Sequence, residues 1–413
     1  MTVVTGGNLS TCPRMLKAAD ALHDAGYAVR VVSACHTPWA ERADRDLRVR
    51  RTWSWSIVDY RRDSAPWRYW TSGARFHLTQ RASQAVGARH VPWSVVSRAF
   101  GRVGCELARA ALAEPADFYY GGTTGALTAV AEASSRARVG FGIDFEDLHS
   151  AEHSETTASG RLANQLAARV EERLIGRAAF VTTSSRPIAD RYQALYGVRP
   201  LVVHNTFPLP RRAPSKPSNT GAPLKLYWFS QTIGPGRGLE DIIRAAGVAG
   251  FTGELHLRGQ PSIGYDREIV GLASSAAPKM PVFFHDPVPP DAMIDSCRDY
   301  DIGLSLEVPD RLNHALCVGN KVMTYPLAGL AVIVTETPGH RSVMPDFHAG
   351  IRAYRPGAIA ELALILTSWN ADRDLLMRAK ADAWAAARER WHWEHPDERG
   401  ALVAQFASVG LQR

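Results

Sequence analysis

The sequence predicts an α/β protein made of two doubly wound domains. Three observations lead to this fold class. Short apolar segments of strand type alternate with amphipathic helical segments, a pattern typical of parallel sheets covered by helices. A proline-rich segment, residues 207–223, interrupts this alternation about halfway along the 413-residue chain. The alternation then starts again, and each half is long enough to bury a core of its own.

The first half, residues 1–206, is predicted to form one domain. After an opening strand at residues 2–5, strands are predicted at residues 28–33, 118–120, 138–143, 180–183 and 201–204. Helices are predicted at residues 14–25, 126–134, 160–177 and 186–196, because apolar side chains recur there every three or four positions. A basic stretch rich in tryptophan and tyrosine, from Trp53 to Trp93, is interpreted as irregular. Its rings, Tyr60 and Tyr69 among them, either belong to the core and its rim or, together with the acidic loop at residues 144–155, hold a ligand with a cationic or aromatic part through cation–π contact.

Residues 207–223 contain five prolines and are predicted to be a linker, since proline removes a backbone donor and fixes φ. The second domain is predicted at residues 224–390. Its strands are expected at residues 224–229, 253–257, 282–284, 302–306 and 331–334. Its helices are expected at residues 239–248, 265–275, 290–297, 321–327 and 358–368. The cleft between two such domains is the expected ligand site, because open parallel sheets bind ligands at the carboxyl ends of their strands.

The C-terminal residues 372–412 have a helical pattern that is broken at His395 and Pro396. Two arrangements fit this break. The last helix either packs on its own domain or, as we expect, crosses back to the first domain over residues 391–413.

The net charge of +7 suits an anionic ligand such as a phosphate ester. Nucleic acid is not expected as a partner, because no known reading motif accompanies the densest basic cluster at residues 48–62. The five cysteines are odd in number and widely spaced, which favours reduced thiols and a cytoplasmic location. No signal peptide and no transmembrane segment are expected, since Met1 leads directly into a strand and no apolar run reaches ~20 residues. The sequence leaves the oligomeric state open.

Residues 229–239 link a predicted strand to a predicted helix through a glycine-rich turn. Glycines such as Gly236 allow a ligand to approach the backbone closely, and a helix N-terminus favours an anion. Arg237 adds a forked cationic donor that suits phosphate. A tight turn without a ligand explains the same glycines. The spacing does not match the nicotinamide fingerprint, because the third glycine comes too early.

Residues 313–329 follow another predicted strand, and Gly319 and Asn320 have the pattern of a helix start. Lys321 then lies in the first turn, where a cation opposes the helix dipole unless an anion is bound in front of it. Thr324 is expected one turn further along, within reach of a ribose. A solvated lysine is the plainer alternative.

Residues 144–152 hold four carboxylates and His149 directly after a predicted buried strand. We expect Asp147 and a neutral His149 at the reacting centre, because imidazole can both accept and donate a hydrogen bond. An acidic loop that caps the next helix is the alternative. A metal is not expected, since His149 and His153 have no obvious third ligand.

These segments together resemble the retaining glycosyltransferases with two Rossmann-like domains, in particular glycosyltransferase family 4. The resemblance covers nearly the whole chain and rests on the order and spacing of several segments. In the second half these are GPGRGL at residues 234–239, DIGLSL at 301–306, LNH at 312–314 and GNKVMTYPLAGLAVI at 319–333. In the remainder they are GGNLS at 6–10, PRML at 13–16, LVVHN at 201–205 and WHWE at 391–394.

The resemblance implies the two-domain GT-B fold and retention at the anomeric carbon during transfer from a GDP- or UDP-linked sugar, with no further cofactor. The expected acceptor is a small molecule or a glycan, with O- or S-glycosylation in natural-product tailoring as one option. Residues expected to bind the donor are Gln231, Gly236, Arg237, Arg258, Asn313, Asn320, Lys321 and Thr324. Residues expected to bind the acceptor are Gly7, Asn8, Arg14, Asp144 and Glu146. Asp147 and His149 are the expected catalytic residues.

One departure from the family pattern concerns its paired glutamates, which are separated by seven residues. Leu316 and Thr324 occupy those two positions here. The second glutamate normally accepts hydrogen bonds from the ribose hydroxyls, and a threonine lacks the charge that strengthens these hydrogen bonds. Glu307 is a candidate to replace it. The alternative function is therefore a catalytically degenerate protein that binds a sugar nucleotide and acts as a partner. A sugar-nucleotide epimerase is a more remote option.

Overall fold

Two parallel β-sheets organise the chain in the computed structural model, which describes residues 1–214 and 222–411. Contacts within the chain divide it into two units. The first comprises Met1–His204, Arg311–Asn313 and Pro396–Arg413, and the second comprises Asn205–Asp310 and His314–His395. Residues 215–221, which belong to the predicted linker, lie outside the described residues.

The first unit is built on seven strands. They are β1 (Thr2–Thr5), β2 (Arg30–Cys35), β3 (Ser54–Asp59), β4 (Phe118–Gly122), β5 (Gly140–Asp144), β6 (Phe180–Thr183) and β7 (Leu201–Val202). They pair in parallel in the order β3-β2-β1-β4-β5-β6-β7. Successive valines such as Val3 and Val4 are fully buried, because helices cover both faces of the sheet.

The helices of the first unit have sequence signals at their ends. Helix α8 begins after Ser185, whose hydroxyl accepts a hydrogen bond from the Ile188 amide, and it ends at Gly197 with φ of 73°. The helices before it are α1 (Pro13–Asp24), α2 (Pro38–Val49), α3 (Pro66–Val86), α4 (Trp93–Phe100), α5 (Gly104–Ala111), α6 (Thr124–Ala137) and α7 (Ala158–Ile175); α8 spans Arg186–Tyr196.

The second unit is built on six strands. They are β8 (Leu224–Ile233), β9 (Gly253–Pro261), β10 (Val282–His285), β11 (Ile302–Ser305), β12 (Ala331–Thr335) and β13 (Ile351–Tyr354). They pair in parallel in the order β10-β9-β8-β11-β12-β13. One face of the sheet packs in an apolar core with Trp228 and Leu257 at its centre, and both side chains are fully buried.

The remaining helices follow the strands of the second sheet and the C-terminal segment. They are α9 (Leu239–Val248), α10 (Tyr265–Ala276), α11 (Leu312–Leu316), α12 (Asn320–Leu327), α13 (Pro338–Arg341), α14 (Ile359–Ala371), α15 (Arg373–Glu389) and α16 (Ala401–Ser408). No helix in the described part of the chain is both long and apolar enough to span a bilayer.

Helix α16 belongs to the first unit, as the expected C-terminal crossing requires. Phe406 is fully buried and packs its ring against Phe118, Tyr120 and Phe180. Helix α15 ends at Glu389, and a short turn at Pro396–Gly400 leads into α16.

Two predictions of secondary structure are wrong. The aromatic and basic stretch around residues 53–93 is not irregular, because it contains β3, α3 and the start of α4. Proline at the start of α3 and Gly87 after its end were the available signals. The helix predicted at residues 290–297 is replaced by two short 3₁₀ turns, Pro290–Ala292 and Asp295–Cys297.

A buried ion pair joins α1 to the end of β5. The guanidinium of Arg14 donates two hydrogen bonds to the Asp144 carboxylate, at 2.6 and 2.7 Å, and a third to the Val203 carbonyl. The two side chains are only 7 % and 1 % exposed. The Thr182 hydroxyl also donates to Asp144, so the carboxylate is held from β6 as well. Burial by itself would lower the pKa of Arg14, but the neighbouring carboxylate outweighs burial and raises it.

Replacing Asp144 should strongly destabilise the first unit, because it leaves a buried cation without its counter-charge. We expect Asp144→Asn to lower the free energy of unfolding by about 3–5 kcal/mol in urea denaturation. The control is Glu132→Gln, which removes an exposed pair with Arg136 and should change stability by less than about 0.5 kcal/mol. Equal effects of the two substitutions would contradict this role of the buried pair.

Candidate functional site

The candidate residues of the first unit follow the carboxyl ends of β1 and β5. Asn8 comes after β1 and is fully buried. Its side-chain amide donates to Asp44 at 2.8 Å, and its oxygen accepts from the backbone amides of His36 and Thr37. Asn8 therefore fixes the loops after β1 and β2. A Cβ on Gly7 would have its nearest neighbour at 3.5 Å, so space alone does not require glycine there.

The loop after β5 is held by both backbone and side-chain bonds. The carbonyl of Glu146 accepts hydrogen bonds from the amide and the hydroxyl of Ser184. The carboxylate of Asp147 accepts from the Asn313 amide at 3.2 Å, and the Asn313 oxygen accepts from the Leu148 backbone at 2.8 Å. Asn313 was expected to contact the donor, and the structure brings it together with the predicted catalytic residue Asp147.

His149 is a buried cation and not the neutral imidazole that the sequence suggested. Burial alone would lower its pKa, but the Glu152 carboxylate, 3.0 Å from Nδ1, outweighs burial and raises the pKa of His149 to about 9. Nε2 is buried without a hydrogen-bond partner among the described residues. The rings of Phe100 and Phe145 lie edge-on to the imidazole, which is 5 % exposed. Glu152 therefore favours the protonated form of His149, which makes the imidazole a poor base.

An open pocket of about 660 Å³ lies where β2 and β3 end. Tyr60 and Tyr69 of its lining belong to the aromatic stretch that the sequence offers as one option for ligand binding, and the other lining residues are not proposed from the sequence. Aromatic and cationic side chains line it together. The lining residues are His36, Pro38, Tyr60, Arg61, Arg62, Asp63, Tyr69 and Arg102. The alternation of arginine with tyrosine around residues 60–69 was the signal in the sequence.

Arg102 is fixed in the wall of this pocket. Its guanidinium lies 5.4 Å from the ring centre of Tyr60 and 4.4 Å from that of Tyr69. It donates to the Tyr69 carbonyl at 2.6 Å and to the Ser72 hydroxyl at 3.2 Å. A Cβ on Gly73 would come within 3.1 Å of the guanidinium, so the glycine makes room for it. Stacked aromatic rings and a fixed guanidinium suit the faces and hydroxyls of a sugar or a similar polar ring.

In the second unit, the glycine-rich turn connects β8 to α9. Gly238 precedes the first turn of α9 with φ of 72°, and a Cβ there would lie 2.2 Å from the Leu306 carbonyl oxygen. No side chain fits at this position. Gly236 also has a positive φ, of 76°, but a Cβ on it would meet nothing within 4 Å. The turn is therefore packed on one side and open on the other.

The polar residues of this turn are accessible. Gln231 is exposed and Arg237 is half-buried. Arg237 forms no hydrogen bond or ion pair with any residue that the structure describes. An oriented glycine turn, a helix N-terminus and a cation without a counter-ion make an anion site possible here.

Lys321 begins the first turn of α12 and pairs with Glu307 from the loop after β11. The lysine is 11 % exposed, and its ammonium lies 5.2 Å from the ring centre of Trp228. Burial alone would raise the pKa of Glu307, but Lys321 outweighs it and lowers that pKa to about 2. Glu307 is therefore ionised at neutral pH, and an anionic ligand at Lys321 would compete with it.

Two further residues that were expected to bind the donor substrate form hydrogen bonds within the protein. Thr324 is fully buried, and its hydroxyl donates to the Asn320 carbonyl at 2.8 Å. This differs from the accessible hydroxyl that a ribose contact requires. Arg258, on β9, donates to the Tyr227 hydroxyl and the Asp286 carbonyl, both at 2.7 Å. Asn320 is half-buried at the start of α12.

Within residues 1–214 and 222–411, no cluster of three histidine, cysteine or acidic side chains has the arrangement of a metal site. The five cysteines are all described, and none of them forms a disulfide bond with another.

Both sheets, their strand orders and their helices define the GT-B fold, and solved structures match over almost the whole chain. HepE of Anabaena, in complex with UDP-glucose, matches with a TM-score of 0.65 and 16 % identity, covering 99 % of each chain. TarM of S. aureus matches with a TM-score of 0.66 and 8 % identity, over 99 % of this chain and 98 % of TarM. Sucrose-phosphate synthase of Thermosynechococcus elongatus matches with a TM-score of 0.62 and 12 % identity, over 99 % and 98 %. The predicted fold class is confirmed.

No protein-family model and no curated protein sequence matches the chain.

The ion pair of His149 should make stability depend on pH. The folded-state pKa of His149, about 9, lies above the unfolded value near ~6.5. The stabilisation is therefore fully present below pH ~6.5 and is lost as the pH rises through about 9. We expect the stability difference between wild type and Glu152→Gln, measured in urea, to shrink over this range. Asp147 and Glu171 add to the raised pKa, so Glu152→Gln removes most of the effect but not all of it. A difference that stays constant from pH 6 to pH 10 would contradict the assignment.

Proposed function

We propose that this protein is a glycosyltransferase that moves a sugar from a nucleotide-diphosphate donor to a small-molecule or glycan acceptor. The observation that carries the proposal is the open glycine turn with the unpaired Arg237, set in a GT-B fold. Similar solved structures support it, since HepE was solved with UDP-glucose and TarM with UDP. On this proposal the second unit binds the donor and the first binds the acceptor.

The pyrophosphate is assigned to Arg237 and Lys321. Arg237 offers a forked donor with no competing carboxylate, and Gly236 leaves the backbone open beside it. Lys321 adds a second cation at the N-terminus of α12, where the phosphate would displace or share its contact with Glu307. Gln231 and Asn320 lie at the same two segments and are assigned as further donor contacts. Arg258 is assigned to the nucleotide base, which it would reach from the end of β9.

The acceptor is assigned to the pocket lined by Tyr60, Tyr69 and Arg102 and to the neighbouring loops. Within those loops Glu146 and Asp147 carry the carboxylates that would bind hydroxyl groups. Arg14, Asp144 and Asn8, with Gly7 beside it, serve this site by holding the loops in place, because their polar atoms are bonded within the protein. Asp147 is the proposed catalytic residue, and His149 is a positioning residue that acts through Glu152.

The reaction we infer is substitution with retention. The acceptor oxygen or sulfur bonds to the anomeric carbon on the face from which the sugar–phosphate bond breaks, and the acceptor proton passes to the leaving phosphate. This route needs no nucleophilic carboxylate. Positive charge from Arg237 and Lys321 would stabilise the leaving diphosphate, which is where negative charge develops. A hexose is the proposed sugar, UDP or GDP the proposed nucleotide, and the cytoplasm the proposed location. Natural-product tailoring remains one proposed role.

Arg237→Ala should lower kcat/KM by about 100-fold or more, because it removes a charged donor to the leaving group. Lys321→Ala should have an effect of similar size. The measurement is product formation with a panel of UDP- and GDP-sugars, after the copurified nucleotide has been identified by mass spectrometry. Arg267→Ala, which removes an exposed arginine of α10, is the matched control and should retain activity. Wild-type turnover in both site variants would contradict the proposal.

A degenerate sugar-nucleotide-binding protein is the second candidate function. The buried hydroxyl of Thr324 and the Lys321–Glu307 pair favour it, because both reduce the groups available to a donor. Calorimetry separates the two functions. Binding of a nucleotide sugar that Arg237→Ala abolishes, without any product from a broad acceptor panel, would support the second function over the first.

A further inference from the structure

Helix α3 exposes both of its tryptophans, its leucine and its one valine, whereas Phe76 is half-buried. Trp67 is 81 % exposed, Trp70 57 %, Leu78 64 % and Val86 57 %. The buried residues of the same helix are small or polar, namely Ser72, Gly73 and Ser83. A helix on the surface of a globular domain normally buries its apolar stripe and exposes its polar face. Helix α3 instead exposes its tryptophans and buries small or polar side chains.

Polar bonds attach α3 to the domain, so its packing does not use the apolar face. Arg102 donates to the Tyr69 carbonyl and the Ser72 hydroxyl. Arg75 donates to both carboxylate oxygens of Glu106, at 2.7 and 2.8 Å. The outward apolar side chains therefore contribute little to folding, and another function has to explain them.

The outward residues form a continuous stripe. They recur every three or four positions and so lie on one face of the helix. The stripe consists of Trp67, Trp70, Ala74, Leu78, Arg81 and Ala85, all exposed. Arg62 lies over the Trp70 ring, with its guanidinium 5.5 Å from the ring centre, which places a cation beside an exposed indole.

The sequence of α3 and of the segment that follows it is basic. Between Asp63 and Glu106 the sequence contains six arginines and no acidic residue. Four of these arginines are exposed, namely Arg68, Arg81, Arg89 and Arg98. Such a surface attracts an anionic partner over a wide area.

We infer that the outer face of α3 binds the surface of an anionic lipid bilayer, an interaction that goes beyond the proposed sugar transfer. The helix would lie in the plane of the interface, with both indoles at the level of the headgroups and the arginines against lipid phosphates. Exposed tryptophans interleaved with arginines, on a helix that contains no acidic residue of its own, match this partner in both polarity and charge.

The test is flotation of the full chain with vesicles of phosphatidylcholine alone or mixed with phosphatidylglycerol. We expect binding to the mixed vesicles, much weaker binding to the neutral ones, and a fall in binding as ionic strength rises. Trp67→Ser/Trp70→Ser should weaken binding by at least about tenfold, because it removes the apolar anchors. The matched control, Val248→Ser/Leu364→Ser, removes two side chains of the second unit that are each 69 % exposed and should bind like wild type.

Arg81→Glu provides a second variant, which changes charge on the same face and leaves both indoles in place. It should weaken binding to the mixed vesicles while the thermal unfolding midpoint stays unchanged. Absence of vesicle binding by wild type, or equal binding by wild type and the tryptophan variant, would overturn the inference.

Sedimentation equilibrium tests whether a second copy of the chain binds this face instead. A wild-type dimer that dissociates in the tryptophan variant, together with no vesicle binding, would assign the face to self-association. Neither result depends on sugar transfer, so the proposed function is tested separately.

Discussion

Burial of the Arg14–Asp144 ion pair is the constraint on which the loops of the first unit depend. Two charges that are almost completely removed from water are tolerated only where every hydrogen-bonding group finds a partner. The pair therefore fixes α1, the end of β5 and the backbone at Val203 in one arrangement. Glu146 and Asp147 follow Asp144 directly along the chain. The position of the candidate acceptor loop is thus a consequence of the way the ion pair is enclosed.

The second unit also contains a charged pair, formed by Lys321 and Glu307. The family pattern that the sequence resembles places two carboxylates around α12, and this chain has Leu316 and Thr324 there. The carboxylate that faces Lys321 is instead supplied by Glu307, from the loop after β11. A negative charge is thus kept beside the lysine, although it comes from another element. The Ser305 hydroxyl donates a hydrogen bond to the same carboxylate and helps to hold it beside the lysine.

How much could be predicted from the sequence varied with the kind of interaction. Elements with a strong inward apolar period, such as β6, α8 and α9, were predicted with their observed bounds. Helix α3 does not follow this pattern, because its tryptophans, leucine and valine point outward and give no inward apolar period. The glycine turn before α9 was found because its chemistry is local.

The protonation of His149 was not predictable in the same way. It depends on Glu152, which is close in sequence, but also on burial between Phe100 and Phe145, which only the tertiary fold produces. The link between Asp147 and Asn313 spans 166 positions and leaves no trace in a local pattern. The same holds for the pocket residue Arg102, whose aromatic neighbours come from β3 and α3.

Gly238 and Arg237 are adjacent, yet they would behave very differently in a saturation-mutagenesis library. At position 238 a positive φ and the Leu306 carbonyl oxygen leave no room for a side chain, so nearly every substitution would be lost with the folded protein. At position 237 the side chain is accessible, and folding imposes little on it. In such a library, position 238 would report on folding, and position 237 would report on ligand preference. If the turn binds the donor as proposed, variants at position 237 are suitable for the directed evolution of donor specificity.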